Sequence, residues 1–170
     1  MRMKKLLLLM SFIFFAAQFS NAQSEKFKAL FMYNFAKNIQ WPANTQKSDF
    51  VIVVLGSSPM TDELKYIASK QKVGSQSIVV KSVSSAGDIG ECQIVFIPTN
   101  QSNSLKATVE STSGKSILIV TEKEGSAKEG SCINYIQDGG RIKFELNKSN
   151  VEKRGMVLNS SLVTLGIPVN

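Results

Sequence analysis

The 170-residue chain contains no histidine, only two cysteines and a single tryptophan. Histidine is the commonest general base and the commonest metal ligand, so its absence excludes hydrolases that depend on a Ser–His or Cys–His pair. The two thiols, Cys92 and Cys132, neither complete a zinc site nor prove a disulfide bridge. Only lysine- or carboxylate-based catalysis remains, and we expect no catalytic residue, no cofactor and no metal ion.

Positive charge is modest and scattered along the chain. The formal net charge is +7, and three of these charges belong to Arg2, Lys4 and Lys5, which leaves +4 on residues 23–170. No block of lysines or arginines forms a basic stripe, so we expect no nucleic-acid partner. An excess of this size still allows a weak attraction to anionic lipid headgroups or cell-wall polymers.

The first 22 residues have the pattern of a secretory signal peptide. A charged start precedes an apolar run over residues 6–17, interrupted only by Ser11, and the small-residue cleavage site Ser20-Asn21-Ala22 follows. The run is about a dozen residues long, whereas a helix needs about 20 to span a bilayer. We therefore predict cleavage after Ala22, a single exported domain over residues 23–170, and no stable insertion in a membrane.

Apolar spacing in the rest of the chain predicts alternating helices and strands. Aromatic and aliphatic residues three and four apart predict a helix over Glu25–Gln40, which Trp41-Pro42 ends. A second helical pattern follows Pro59 and extends to about residue 70, and a third covers residues 104–111. Continuous apolar runs predict strands between these helices, at residues 50–55, 77–83, 93–97 and 116–121. Such strands indicate a largely parallel sheet with helices on both faces.

A β-hairpin is predicted where Ser131–Gln137 and Arg141–Asn147 flank Asp138-Gly139-Gly140. Pairing of the two strands produces an apolar face with Ile133, Tyr135, Ile142, Phe144 and Leu146. The opposite, polar face carries Cys132, Asn134, Arg141, Lys143, Glu145 and Asn147. A short helix over Ser160–Leu165 follows. The predicted fold class is α/β, with a mixed, mostly parallel sheet that ends in an antiparallel C-terminal hairpin.

Candidate contact residues lie mainly on the polar hairpin face. These candidates are Arg141, Glu145 and Asn147, with Lys153 and Asn159 expected nearby, and the aromatic residues Tyr33 and Trp41. Arginine and aromatic side chains are favoured at the centres of interfaces. A tryptophan before a proline at a helix end more often fills the core, and alternating charges on a strand are usually a solvated face.

A turn at Gly56-Ser57-Ser58-Pro59, between a predicted strand and a predicted helix, is a further candidate. Free N–H groups at such a turn often bind anions in α/β proteins. An ordinary helix cap, with Ser58 as N-cap and Pro59 in the first turn, needs the same residues. Both interpretations fit the sequence.

Three segments in this order resemble those of one family: Phe27–Lys37 followed by Trp41-Pro42, then Gly139–Asn147, then Gly155–Leu162. Together with the strand at Cys92–Ile97 and the signal peptide, they resemble the YfiR family of periplasmic regulators. The resemblance covers nearly all of residues 23–170. No single motif is diagnostic, and the ordered set carries the likeness.

The resemblance implies a compact α/β domain that tends to dimerise and has no known catalytic activity. The best-understood members bind the periplasmic sensory domain of an inner-membrane diguanylate cyclase and hold it inactive, which keeps cyclic di-GMP and biofilm formation low. Other members are associated with sensor kinases. The family's best-known disulfide pairs the position of Cys92 with a strand cysteine, where this chain has Val53. That bridge cannot form here, and a Cys92–Cys132 bridge stays open.

Two functions follow as expectations. The first is a periplasmic regulatory protein that inhibits an inner-membrane signalling protein, a diguanylate cyclase or a sensor kinase, by binding its periplasmic domain. The alternative is a periplasmic binder of a small molecule or a cell-wall ligand, held at residues 56–59 or between the hairpin and the C-terminal helix. A ligand that tunes the inhibition would combine the two.

Overall fold

The computed structural model describes residues 23–46 and 48–170, so the predicted signal peptide lies outside the described residues. Helix α1 covers residues 23–38. Its inner face buries Ala29, Met32, Phe35 and Ala36, which are spaced three and four apart as one helical face requires. The chain leaves the helix at Ile39, shortly before Pro42, which cannot continue a helix.

The other elements follow closely the order predicted from the apolar runs. The strands are β1 Ile39–Gln40, β2 Phe50–Leu55, β3 Lys72–Val73, β4 Gln76–Val83, β5 Ile94–Ile97, β6 Leu118–Thr121, β7 Ile133–Asp138, β8 Arg141–Leu146, β9 Val157–Leu158 and β10 Ile167–Pro168. The further helices are α2 Met60–Ala68, α3 Leu105–Ser111, α4 Lys148–Glu152 and α5 Ser160–Leu165, with 3₁₀ turns at Ala43–Thr45, Ala86–Asp88 and Thr99–Ser104.

Eight strands form one mixed sheet in the order β10-β8-β7-β6-β5-β2-β4-β3. Pairs along the middle of this sheet are parallel, whereas β7–β8 and β3–β4 are antiparallel. The β2–α2–β4 and β5–α3–β6 connections run in opposite directions along the sheet. Because such crossovers are right-handed, α2 and α3 cover opposite faces. The predicted fold class is confirmed, and β1 with β9 adds a small antiparallel pair.

The β7–β8 hairpin has the predicted register. Tyr135 lies opposite Phe144 and Asn134 lies opposite Glu145, so the apolar and polar residues separate onto two faces as expected. Gly139 and Gly140 in the loop have φ of 58° and 74°, the positive values that a tight two-residue hairpin turn needs at both positions. The sequence pattern therefore specified both the turn and the facing of the two strands.

One expectation about this hairpin is wrong. Its polar face is not fully exposed, because the side chains of Cys132 and Asn134 are completely buried and Asn147 is only 5% exposed. The amide of Asn147 donates to the Ala127 carbonyl oxygen at 3.0 Å. The turns over residues 123–130 thus pack against the base of this face, and only its outer part is open to solvent.

The aromatic core joins α1 to the hairpin. The ring of Phe35 lies 4.9 Å from that of Phe144 and 5.8 Å from that of Tyr135, between ring centroids, and all three side chains are at most 2% exposed. The Tyr135 hydroxyl donates to the Lys28 carbonyl oxygen at 2.7 Å, which satisfies its polar atom inside the core. The position of α1 on the hairpin is therefore fixed by both packing and a hydrogen bond.

The two cysteines are free and buried, so they do not form a bridge with each other. Burial raises the pKa of Cys92 to about 12, against a smaller opposing effect of Lys115 and Lys81. Burial likewise raises the pKa of Cys132 to about 11. Both sulfur atoms therefore stay protonated at neutral pH and are poor nucleophiles.

Candidate functional site

Two neighbouring cavities open at the tip of the β7–β8 hairpin. The acidic cleft, of about 570 Å³, is lined chiefly by Glu25, Lys28, Thr99, Glu122, Glu124, residues 135–137 and Glu145. The hairpin groove, of about 410 Å³, is lined chiefly by Phe27, Phe31, Gly140 and Arg141. Both cavities also contact Ser24, Gln137 and Ile142, so they form one continuous surface around the start of α1.

The acidic cleft lies where parallel strands end. Thr99 follows β5 and Glu122 follows β6, and both belong to the edge formed by the carboxyl ends of these strands. Ligands of open α/β sheets bind in crevices at that edge. Because β7 continues beyond β6, the hairpin forms one wall of the crevice and α1 forms another.

A partly buried ion cluster forms the floor of the cleft. The Lys28 ammonium lies 2.8 Å from Glu25 Oε1 and 2.8 Å from Glu122 Oε2. Burial alone would lower the pKa of Lys28, but hydrogen bonds and charges from the two glutamates outweigh it and raise the pKa above 10.5. The second oxygen of Glu122 accepts from the Thr99 N–H at 2.9 Å. These contacts tie α1 to the ends of β5 and β6.

The remaining acidic side chains stay uncompensated at the mouth of the cleft. Glu124 is exposed and, among the described residues, forms no ion pair. Glu145 is half-buried, and it accepts at 2.9 Å from the amide of Asn134, a neutral group. Four glutamates therefore face a single lysine in this cleft, and its wall carries a net negative charge.

The hairpin groove is apolar and bordered by a positive charge. Phe27 on the outer side of α1 is 47% exposed, and Phe31, one turn later, packs its ring 5.6 Å from that of Phe144. Arg141 is exposed at the start of β8. Leu30, also on α1, is 40% exposed. An exposed phenylalanine beside an arginine is the composition expected of a protein-binding surface.

Sequence reasoning placed Glu145 and Arg141 among the contact residues, and each lines one of these cavities. It missed Glu25, Lys28, Glu122 and Glu124, because no motif joins them and they meet only in the folded chain. The one available signal was the position of Glu122 directly after an apolar strand. Polar residues at that point of a parallel strand reach the crevice where ligands bind.

The expectation that Asn147 lies on an exposed surface, available to a partner, is wrong. Its oxygen accepts from the Asn150 N–H at 3.0 Å, so it is the N-cap of α4. Trp41 is also corrected, because it is 9% exposed, its ring packs 5.2 Å from that of Phe50, and its Nε1–H donates to the Ala36 carbonyl oxygen at 2.8 Å. Both side chains hold the fold together.

Tyr33 is half-buried and lies on the flank of α1. Its hydroxyl donates to Gln71 Oε1 at 3.0 Å and approaches the Lys72 carbonyl oxygen at 3.3 Å. The Lys37 ammonium lies 5.3 Å from the centre of its ring. Tyr33 therefore fastens α1 to the start of β3, at the edge of the sheet opposite the hairpin.

Lys153 and Asn159 are exposed but are far from the hairpin tip. Lys153 borders a third cavity, beside Lys128 and Asn147 at the base of the hairpin. Asn159 is the N-cap of α5, and its N–H donates to the Asn38 carbonyl oxygen at the end of α1. Arg141 lies near the N-terminal end of α1, a helix of 16 residues that is about 24 Å long. The candidate residues thus do not form one patch.

The turn at residues 56–59 is occupied by the protein's own side chains. A Cβ atom on Gly56 would lie 2.8 Å from the Gln101 side chain, and the Asn100 amide donates to the Ser57 carbonyl oxygen at 3.2 Å. The Ser58 hydroxyl accepts from the Met60 N–H at 3.2 Å, a capping contact at the first residue of α2, although the N-cap residue is Pro59 and not Ser58 as predicted. These contacts favour the helix cap over an anion site.

The part of the chain that the structure describes, residues 23–46 and 48–170, contains neither a helix that could cross a membrane nor a side-chain group that could hold a metal ion. None of its helices combines the length and the apolar character that crossing a bilayer requires. Over the same residues, no group of three or more aspartate, glutamate or cysteine side chains has a geometry that would hold a metal ion.

Comparison with known protein families matches residues 25–166 to a family described as YfiR/HmsC-like. The match extends over most of the chain, from the first turns of α1 to the end of α5. It includes the acidic cleft and the hairpin groove apart from Gln23 and Ser24. No curated protein matches the chain significantly.

Proposed function

The chain belongs to the YfiR/HmsC-like family, and from that premise we propose that it binds the periplasmic domain of an inner-membrane signalling protein and holds that protein inactive. The family consists of periplasmic regulators of cyclic di-GMP signalling rather than of enzymes. A diguanylate cyclase is the first candidate partner and a sensor kinase the second. Of the candidate contact residues predicted from the sequence, Arg141 and Glu145 are the ones that we propose to contact the partner.

The hairpin groove is the observation that carries this proposal. Phe27 leaves nearly half of its surface in water although the same helix buries Phe35 completely. Arg141 borders the groove and, in the described part of the chain, forms no ion pair. Burying a fully exposed phenylalanine side chain contributes about 1.5–3 kcal/mol, so a partner that covers the exposed half of Phe27 gains about half of this energy.

Inhibition by such binding needs a preference for one state of the partner. A regulator that binds the inactive conformation a hundredfold more tightly shifts the equilibrium by about 2.8 kcal/mol. The acidic cleft and the hairpin groove together offer both an apolar anchor and charge, which is enough chemistry to discriminate two arrangements of a periplasmic domain. No catalytic step is required of this chain.

A deletion strain tests the proposed function. We expect the deletion to raise cyclic di-GMP or kinase output, and wild-type protein to restore the low level. Phe27→Lys should fail to restore it because a charged side chain replaces the apolar anchor. Tyr66→Lys is the matched control, since Tyr66 is a 63% exposed aromatic residue on α2, away from the groove. An unchanged output in the deletion strain would refute the proposal.

A periplasmic ligand binder remains the second candidate, and the volume of the acidic cleft favours it. Cavities of about 300–1,000 Å³ are typical of small-molecule sites, and this cleft falls within that range. The cleft lies between the hairpin and α1, not between the hairpin and the C-terminal helix α5. Mass spectrometry of protein purified from its own periplasm would identify a retained ligand.

A further inference from the structure

One edge of β7 is open along the acidic cleft. On its β6 side, β7 pairs only through Ile133 and Asn134, the last of which lies opposite Thr121. Residues 135–138 continue past the end of β6, and no other strand of the described chain pairs with them on that side. Four residues of strand at about 3.4 Å each leave roughly 14 Å of open edge.

Backbone groups on this edge point into the cleft. The backbone N–H of Asn147 donates to the Cys132 carbonyl oxygen at 2.9 Å, so these two residues form a hydrogen-bonded pair. Hydrogen-bonded pairs alternate with non-hydrogen-bonded pairs along an antiparallel hairpin. Asn134, Ile136 and Asp138 therefore bond to β8, whereas Gln137, opposite Ile142, turns its N–H and C=O away from β8. Unpaired groups of this kind are a template for another strand.

The charge of the cleft selects what pairs there. Lys28 offsets part of the charge of Glu25 and Glu122, whereas no cation in the described part of the chain forms an ion pair with Glu124 or Glu145. A second copy of this chain would bring the same glutamates to the same edge, and like charges across a strand pair are destabilising. A segment with lysine or arginine at alternate positions would instead meet opposite charge, because alternate side chains share one face of a strand.

We propose that the acidic cleft receives a basic, extended segment of the partner protein, which adds as a strand to residues 135–138 of β7. This inference rests on the proposed function and deepens it, since it names the chemistry of the partner at this cleft. Main-chain hydrogen bonds to Gln137 provide the affinity, and Glu124 and Glu145 provide the preference for basic side chains. Neither role depends on Phe27.

Binding of defined peptides to the purified protein tests the inference. The probe is a fluorescent, end-capped peptide of alternating lysine and valine, and the reference is its glutamate–valine counterpart. Binding of the basic peptide should weaken at least about tenfold in Glu124→Lys, because the change removes an attraction and adds a repulsion. Glu129→Lys is the matched control at another exposed glutamate, and it should change the affinity by less than about twofold. Added salt should also weaken binding.

Strand addition makes a separate prediction from charge attraction. Gln137→Pro removes the outward N–H while leaving the bonds from β7 to β8, so the hairpin should stay folded and peptide binding should fall at least about tenfold. Gln137→Ala keeps the N–H and should bind like the wild type. Melting curves establish that both variants are folded. Equal binding by the two variants would overturn strand addition, and equal binding of both peptides would overturn the preference for basic segments.

The outcomes separate this inference from the proposed function. If the deletion strain shows raised output while the basic peptide fails to bind wild-type protein, the inhibitory role is supported and the strand-addition site is refuted. If the basic peptide binds as predicted while the deletion changes no output, the strand-addition site is supported and the inhibitory role is refuted. If Gln137→Pro also abolishes repression while Gln137→Ala preserves it, both are supported.

Discussion

Phe35→Ala should lower the free energy of unfolding by about 3–5 kcal/mol, the usual cost of removing a buried phenylalanine ring. Phe35 is fully buried and contacts the rings of Phe31, Tyr135 and Phe144. Small domains have a total stability of only about 5–15 kcal/mol, so the variant should accumulate poorly. Urea denaturation of purified protein measures the change.

Phe27→Ala is the matched control on the same helix. Because Phe27 is 47% exposed, its truncation should cost less than about 1.5 kcal/mol. Denaturation midpoints that are equal for the two variants would show that α1 is not anchored through Phe35. In that case α1 would not be a fixed wall of the two cavities.

Asn134→Asp should be the second most damaging change, with a loss of about 3 kcal/mol or more at pH 7. Asn134 is fully buried, its oxygen accepts from Thr121 at 2.8 Å, and its amide donates to Glu145 at 2.9 Å. The substitution keeps the shape of the side chain but places a second carboxylate against that of Glu145. Burial and like charge together disfavour its ionised form.

The pH dependence identifies this cause. Burial raises the pKa of the introduced carboxyl in the folded state above its unfolded value of about 3.9, so the folded state binds a proton more tightly. The stability deficit should therefore shrink as the pH is lowered from 7 through the raised pKa. Asn34→Asp, at an exposed position of α1, is the control and should show little deficit at either pH. A deficit for Asn134→Asp that does not change with pH would contradict this explanation.

Local patterns predicted most of the fold. The predicted strand over residues 50–55 and the predicted helix over Ser160–Leu165 have the bounds found in β2 and α5. Continuous apolar runs identify buried strands, and Asp138-Gly139-Gly140 identifies the hairpin turn, because each depends on residues adjacent in sequence. The two-residue strand β3 was missed, since a pair of residues carries no periodic pattern.

Burial on the polar hairpin face was not predictable in the same way. Cys132 and Asn147 alternate with apolar residues as outward-facing positions should, yet the turns over residues 123–130 cover them. That segment has no helical or strand periodicity, so its packing against the base of the hairpin leaves no signal in the sequence. The exposure of Arg141, at the far end of the same face, was predicted correctly.

The acidic cleft depends on contacts between distant segments. Glu25 and Lys28 come from α1, Glu122 follows β6, and Glu145 lies on β8. No local pattern of spacing in the sequence therefore identifies them as a group. The open edge arises because β7 is two residues longer than β6 and starts pairing near the end of β6. Strand lengths and register, rather than a motif, produce this candidate site.

Photocrosslinking from position 27 in living cells tests directly whether the hairpin groove contacts an inner-membrane signalling protein. A photoreactive amino acid replaces Phe27 in the hairpin groove, or Tyr66 on α2 as the control, and adducts are identified by mass spectrometry. We expect an adduct between position 27 and the periplasmic domain of an inner-membrane diguanylate cyclase or sensor kinase, and none from position 66. Adducts from position 27 that contain only a second copy of this chain, or no adduct at all in a strain that shows repression, would contradict this expectation.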